Sequence, residues 1–208
     1  LLAQGKSFRD SDQDLVKTKQ TWFRVDATVA TTTMDYQRTV KCKVDQNIKD
    51  KTIIINQKIH KRLPLTAKIP IVLFKPDDLN LISGSPNRRR KYLDQLIAQL
   101  NPLHSRLLSR YARTLKQRNE LITKALANSG VVNAEKLFSW NILLSQYGGQ
   151  IIKNRLEAVQ YLNQYINQIY QQITHQTDQL ELKYHFEVDQ IKQLEQRIFN
   201  QLERQTNF

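Results

Sequence analysis

Four consecutive cations, Arg88, Arg89, Arg90 and Lys91, follow directly on Ser85-Pro86-Asn87. Serine then proline is a helix start, because serine suits the N-cap and proline's fixed φ suits the first helical position. Cations in the first turns meet the positive end of the helix dipole, at roughly 0.3–1 kcal/mol each when exposed. Something anionic must offset four of them. An internal carboxylate, from Asp77, Asp78 or Asp94, would make the cluster an ion-pair network that locks sheet to helix. A phosphate would instead be bound by helix N–H groups and guanidinium forks together. Residue types alone leave both compensators open, and individual arginines can serve different ends.

A second basic cluster is Gly5-Lys6-Ser7-Phe8-Arg9, with Lys17 and Lys19 following. A charge run of this kind is ordinarily a solvated face. Interleaved Phe8, Trp22 and Phe23 also allow stacking on bases, which makes Lys6 and Arg9 candidate phosphate contacts. Trp22 and Phe23 are expected in the core. Gly5-Lys6-Ser7 imitates the tail of a phosphate loop, yet the first glycine of GxxxxGK[ST] is missing and no strand precedes it. His60, His104, His175 and His185 are far apart and lack metal-ligand spacing, so surface or packing roles are expected and no metal site is assigned. Cys42 lies in an alternating strand between two lysines and suits a structural thiol. Neither a nucleophile elbow nor a dinucleotide fingerprint occurs, so no catalytic residue is assigned.

The elements that position these groups change character midway. Residues 1–100 carry 19 basic and 10 acidic side chains, whereas residues 101–208 carry 13 and 9. The total of +13 excludes an acidic surface protein and makes a polyanion the partner to test. In the first half, Trp22–Val29 and Thr39–Val44 alternate with period two, joined by a polar stretch suited to a hairpin. Thr52–Ile55, Asn56-Gln57-Lys58 and Ile59-His60 suggest a tighter hairpin. Ile69–Phe74 is a short apolar run of the kind that a strand buried on both faces shows. It ends at Lys75-Pro76-Asp77-Asp78, a turn sequence.

The second half has helical periods. Leu93, Leu96, Ile97 and Leu100 mark one face; after Pro102, Leu103 to Leu126 continue at helical spacing to Gly130. A third helix is expected from about Ala134 to about Ile173, kinked or closely packed at Gly148-Gly149. A strand is expected at 180–186, and a closing helix over Asp189–Gln205. The fold class is therefore α+β: a partial β-rich lobe over 1–84, then a mainly helical lobe over 85–208 with long antiparallel helices. No apolar run approaches the roughly 18–20 residues of a membrane span. One cysteine and no glycosylation sequon suggest a reducing cytosol. The chain opens at Leu1 and not at methionine, as a piece of something longer would.

The junction also carries a family resemblance. Val72-Leu73-Phe74-Lys75-Pro76-Asp77-Asp78-Leu79, then Gly84-Ser85-Pro86 with Arg88-Arg89-Arg90-Lys91-Tyr92-Leu93-Asp94, resembles the RecF family. That family reads approximately V-x-F-x-P-E-D-L, then G-x-P-x-x-R-R-x-[FY]-L-D. Tyr111, Leu115 and Lys116-Gln117-Arg118-Asn119 look like its S-x-Y-x-x-x-L-K-Q-R-N helix. Leu1 to Arg9 look like the segment after its phosphate-loop helix. Asp77 stands where glutamate is usual, a conservative departure.

The resemblance implies part of an ABC-type ATPase head related to SMC proteins. The family it points to is bacterial and cytoplasmic. Its members act in DNA repair, replication, recombination and the SOS response as weak DNA-dependent ATPases. The resemblance further implies ATP and Mg²⁺ as cofactors, an ATP-dependent homodimer, and binding to single-stranded or gapped DNA. Recombination-mediator proteins would be its partners in loading the recombinase RecA. Walker A would lie before Leu1, and the signature and Walker B after Phe208, so this stretch alone is expected to bind no nucleotide. Arg9 resembles an arginine near nucleotide and DNA; Arg88, Arg89 and Arg90 match the family's arginine cluster, and Asp77 and Asp78 its acidic pair. The alternative to a DNA-binding portion is a protein-interaction scaffold whose arginines are internal staples.

Overall fold

The computed structural model of the chain describes residues 1–7, 11–32, 34–45, 48–127, 134–185 and 193–205. They form two compact units, Leu1–Asp78 and Leu79–Phe208.

The first unit is built on a four-stranded antiparallel sheet in the order β1 (Trp22–Val29), β2 (Tyr36–Asp45), β3 (Ile48–Ile55), β4 (Lys58–His60). Register follows the alternation. Val25, Val40, Ile53 and His60 lie across one row, and Phe23, Cys42 and Lys51 across the next but one. Val40 and Ile53 are fully buried and pack with Leu63, against which Leu1, Leu2, Ile55 and Ala67 close. Cys42 is buried, as a structural thiol would be. The β3–β4 turn uses Asn56 and Gln57 at φ 45 and 67, the left-handed pair of a two-residue hairpin that matches strand twist. The row through Arg38 is the surprise. This arginine is fully buried, and its guanidinium donates to Leu2 O (2.5 Å), Ala67 O (2.6 Å) and Tyr36 Oη (2.8 Å). It fastens the first residues and the 65–67 turn to β2.

Two expectations for this unit are corrected. Trp22 is 57% exposed at the sheet's outer strand, so it does not serve the core. Ile69–Phe74 joins no strand: Ile69 bonds to Ala3 and Gln4, Pro70 has no N–H for a ladder, and Val72 and Phe74 are exposed. An apolar run reads as a buried strand only when strands flank it, and no described strand does.

The second unit is helical: α1 (Asn80–Ser83), α2 (Pro86–Leu100), α3 (Pro102–Ala127), α4 (Ala134–Asn163), α5 (Ile166–Thr174) and α6 (Leu194–Arg204). Asn101 breaks α2 from α3, and its Oδ1 accepts from Leu103 N (3.0 Å), capping the new helix where proline would leave it open. α3 and α6 both pack along α4. Leu137, Leu144, Ile151 and Leu194 form the buried line of this contact. Phe138 and Phe199 meet edge to face at 5.4 Å. Gly148 and Gly149 mark a close approach within the unbroken span of α4: a β-carbon on Gly148 would stand 3.3 Å from Ile198 Cδ1. The long helix ends earlier than its pattern suggests, at Asn163, and α5 begins after Gln164-Tyr165.

The strand expected at 180–186 is also corrected. Residues 180–185 pair with no strand; Asn167 Oδ1 accepts from Leu180 N (2.6 Å), and Asn163 bonds both Leu182 N and Leu182 O at 2.9 Å. Side-chain amides of the helices replace the missing ladder, so an alternating pattern is satisfied without a sheet. Residue 186, like the first residues of the expected closing helix, lies outside the described residues.

Candidate nucleic-acid interface

The start of α2 is built as its residue types suggest, with one difference. Ser85 takes the extended N-cap conformation and Pro86 the first helical position, but the serine side chain makes no capping bond. Gly84 is required by crowding: a β-carbon there would meet Asn80 O at 2.2 Å. No acidic residue occupies the first turn of α2, and Arg88, Arg89, Arg90 and Lys91 are all exposed. The dipole therefore stays uncompensated within the helix itself, and phosphate can reach the cluster.

The arginines separate by task. Arg89 Nη1 donates to Gly84 O (2.9 Å) and Ile82 O (3.1 Å), tying the turn that leads into α2. Arg90 donates to Asn87 Oδ1 one turn back. Two carboxylates expected as compensators have other work. Asp78 Oδ2 accepts from Lys75 N (2.8 Å) and closes its own turn. Asp94 accepts from Arg155 Nε (2.8 Å) and Nη2 (2.7 Å). Asp77 lies in the 3-10 turn Pro76–Leu79.

Lys6 is exposed in the first unit, while Arg9 lies outside the described residues. The Gly5-Lys6-Ser7 stretch is not a phosphate cradle. Gly5, at φ 73, stands where a β-carbon would be 2.8 Å from Leu63 Cβ, and Ser7 N already donates to Asp12 Oδ1 (3.0 Å). Asp12 in turn pairs with Lys51 at 2.6 Å, so this loop is fastened to the sheet.

Two buried polar networks were not legible as such in the sequence. In the first, His104 is fully buried between Asp94 Oδ1 (Nε2, 3.1 Å) and Asn154 Nδ2 (Nδ1, 2.9 Å). The amide nitrogen makes Nδ1 the acceptor, which leaves the ring proton on Nε2 facing Asp94. Arg155 Nη1 also donates to Tyr184 Oη (2.9 Å), so α2, α3, α4 and residue 184 meet in one cluster. Burial pushes the Asp94 carboxyl up, but the bonds from Arg155 and His104 outweigh it and hold the group below its ordinary value. Burial pulls Arg155 down, and Asp94 and Tyr184 more than restore it. In the second network, Arg118 Nε donates to Asn141 Oδ1 (2.7 Å) and Nη2 to Leu202 O (3.0 Å), and Asn141 Nδ2 donates to Glu203 Oε1 (2.6 Å). Burial lowers the Arg118 pKa, with Glu203 opposing. The motif residues Asp94 and Arg118 thus pin helices together; their place inside otherwise apolar stripes was the available signal.

Among the described residues, no three His, Cys, Asp or Glu side chains gather as a metal site would need. No described helix is long and apolar enough to cross a membrane.

No family model matches the sequence. The chain is 32% identical over 186 residues to the DNA replication and repair protein RecF of Heliobacterium modesticaldum, covering 88% of this chain and 49% of that protein. Its fold is similar to the recombination mediator protein RecF in the RecFOR pathway, solved as RecF-ATPrS, with a TM-score of 0.78 at 27% identity over 99% of this chain and 56% of the other. The RecF-ATP structure gives 0.76 at 27% identity, over 98% and 55%. The chain spans about half the length of the relatives it matches. With the junction motif, the α+β architecture and similarity along nearly its whole length, this chain belongs to the RecF family.

Proposed function

We propose that this chain is the DNA-binding portion of a RecF-like, ATP-dependent mediator of DNA repair, replication and recombination. It acts at gapped or single-stranded DNA, together with recombination-mediator proteins, to help load the recombinase. The observation that carries this reading is the exposed Arg88–Lys91 cluster at a helix start with no acid in its first turn. Phosphate is the ligand that such a start accepts from both its backbone and its side chains. Lys6 is a further candidate contact, and Asp78 closes the turn that begins at Lys75. ATP, Mg²⁺ and ATP-dependent homodimerisation in the bacterial cytoplasm belong to the whole protein in this reading. Gly5 is packed against Leu63 and Ser7 N is engaged by Asp12, so no step of nucleotide chemistry is assigned to Gly5-Lys6-Ser7.

A scaffold reading is favoured at one residue, because Arg89 is bound to two backbone carbonyls of its own turn. The two readings separate by mutation. Replacing Arg88 and Arg90 with alanine should weaken binding to labelled gapped DNA by about tenfold at a temperature where the variant is fully folded. Arg89→Ala should lower stability by about 1 kcal/mol, the worth of a typical charge-assisted bond at an exposed site. DNA affinity unchanged in the Arg88/Arg90 variant would hand the cluster to the scaffold reading.

A further inference from the structure

Helix α3 carries a row of cations that its own sequence does not neutralise. Arg106, Arg110, Arg113 and Gln117 recur at the spacing of one helix face, and all four are exposed. No acid stands three or four residues from any of these arginines, where a helix neighbour would reach it. Those positions hold like charges instead, in the pairs Arg106–Arg110, Arg110–Arg113 and Arg113–Lys116, and each pair opposes the helix. Every residue from Pro102 to Ala127 is described, and the one carboxylate among them, Glu120, is paired with Lys116 at 3.8 Å. None of the three arginines forms an ion pair with a described residue. An anion from outside the helix would relieve the row.

The rest of the face decides which anion. A protein partner needs a large apolar or aromatic anchor at the centre of its contact. Between His104 and Ala125 no leucine, isoleucine or tyrosine of α3 is exposed, and the exposed side chains there are charged or polar apart from Ala112. Unpaired bases would need a ring to stack on, and the row offers none. Guanidinium forks fit phosphate, and duplex DNA presents its phosphates outward with the bases stacked inside. We infer that Arg106, Arg110 and Arg113 grip the phosphate backbone of duplex DNA, such as the paired arm beside a gap. Helix α3 belongs to the same unit as the α2 cluster, and His104 holds Asp94 at 3.1 Å, so both basic elements share one framework. The inference rests on the DNA-binding reading above and gives the helical unit a hold on the paired part of the substrate.

The test uses the full chain and a labelled duplex, followed by fluorescence anisotropy across a salt series. A triple variant, Arg106→Gln with Arg110→Gln and Arg113→Gln, keeps good helix formers, so its melting temperature at low salt should hold or rise as the repulsion goes. It should bind the duplex about tenfold more weakly, with the log–log salt slope shallower by about 2.7, three phosphates at roughly 0.9 each. Arg110→Gln alone should give about a third of that change in slope. Glutamine at Lys58, Lys61 and Arg62, exposed on the first unit, removes the same charge and should change the slope by less than about 1. Affinity within twofold of the parent at unchanged slope would overturn the inference. Equal losses in the two triple variants would do so too, because net charge alone would then account for binding. A lower melting temperature with duplex affinity kept would assign the row to a carboxylate of the protein itself. Polyglutamate competing as well as unlabelled duplex at equal charge would assign it to an acidic protein segment. If the Arg88/Arg90 variant loses gapped DNA while the α3 variant keeps the duplex, this inference falls and the DNA-binding reading stands. If the parent binds no DNA at low salt, both fall.

Discussion

Asp94 shows why a residue inside a charged motif need not meet a ligand. It sits six positions after Arg88, yet its two oxygens are taken by Arg155 and His104, with only 13% of its side chain exposed. Its partner Arg155 is equally enclosed, so removing the carboxylate leaves a guanidinium with little water to replace it. Asp94→Asn should therefore destabilise the protein at neutral pH by roughly 2–4 kcal/mol, below the fully buried case because some solvent remains. The pH sign follows from the depressed carboxyl. The unfolded chain takes up the proton first, so the stabilisation is complete above about pH 4 and is lost as pH falls through the lower folded value. Denaturation midpoints at pH 7, 5, 4 and 3 should fall more steeply in the parent than in Asp94→Asn. A variant as stable as the parent at pH 7 would mean that Arg155 finds equivalent partners without this carboxylate.

At the scale of elements, α4 and α6 pack closely, and Gly148 lies at their contact. A single methyl there reaches Ile198 Cδ1 at 3.3 Å and Tyr111 Cε2 at 3.5 Å, tight but yielding at a side-chain end. Gly148→Ala should be near neutral, because the contact offsets the roughly 0.5–1 kcal/mol that alanine gains over glycine in a helix. Gly148→Leu has no such room and should lower the urea midpoint by the equivalent of about 2–3 kcal/mol at unchanged slope. Equal midpoints for the two variants would show that α6 can move off α4 freely. Much of this level was legible in advance. Period-two runs marked β1, β2 and the turn at Asn56-Gln57, and Ser85-Pro86 marked the start of α2. Failures came where a pattern depends on a distant neighbour. Ile69–Phe74 and 180–185 have strand-like sequences, but pairing partners decide what a strand is, and amides of Asn163 and Asn167 took the second.

For the whole molecule the decisive quantity is how the charge of +13 is shared. Counted by halves the excess lies toward the first, but the structural units give another balance. Leu1–Asp78 carries 15 basic and 9 acidic residues, and Leu79–Phe208 carries 17 and 10. The Arg88–Lys91 cluster belongs to the helical unit, so each unit is positive by itself and neither is a neutral scaffold. Diffuse charge attracts any polyanion, whereas defined contacts release a countable number of ions. If the four cations of α2 and Lys6 all meet phosphate, about five contacts set an upper limit once the α3 row is neutralised. The log–log salt slope should then lie between about −2 and −5, at roughly 0.7–0.9 per phosphate. Measured on single-stranded, duplex and gapped DNA, the proposed function expects the gapped substrate to bind best. A slope near zero, with binding intact, would show that uncharged contacts hold the DNA and that the basic surface serves something else.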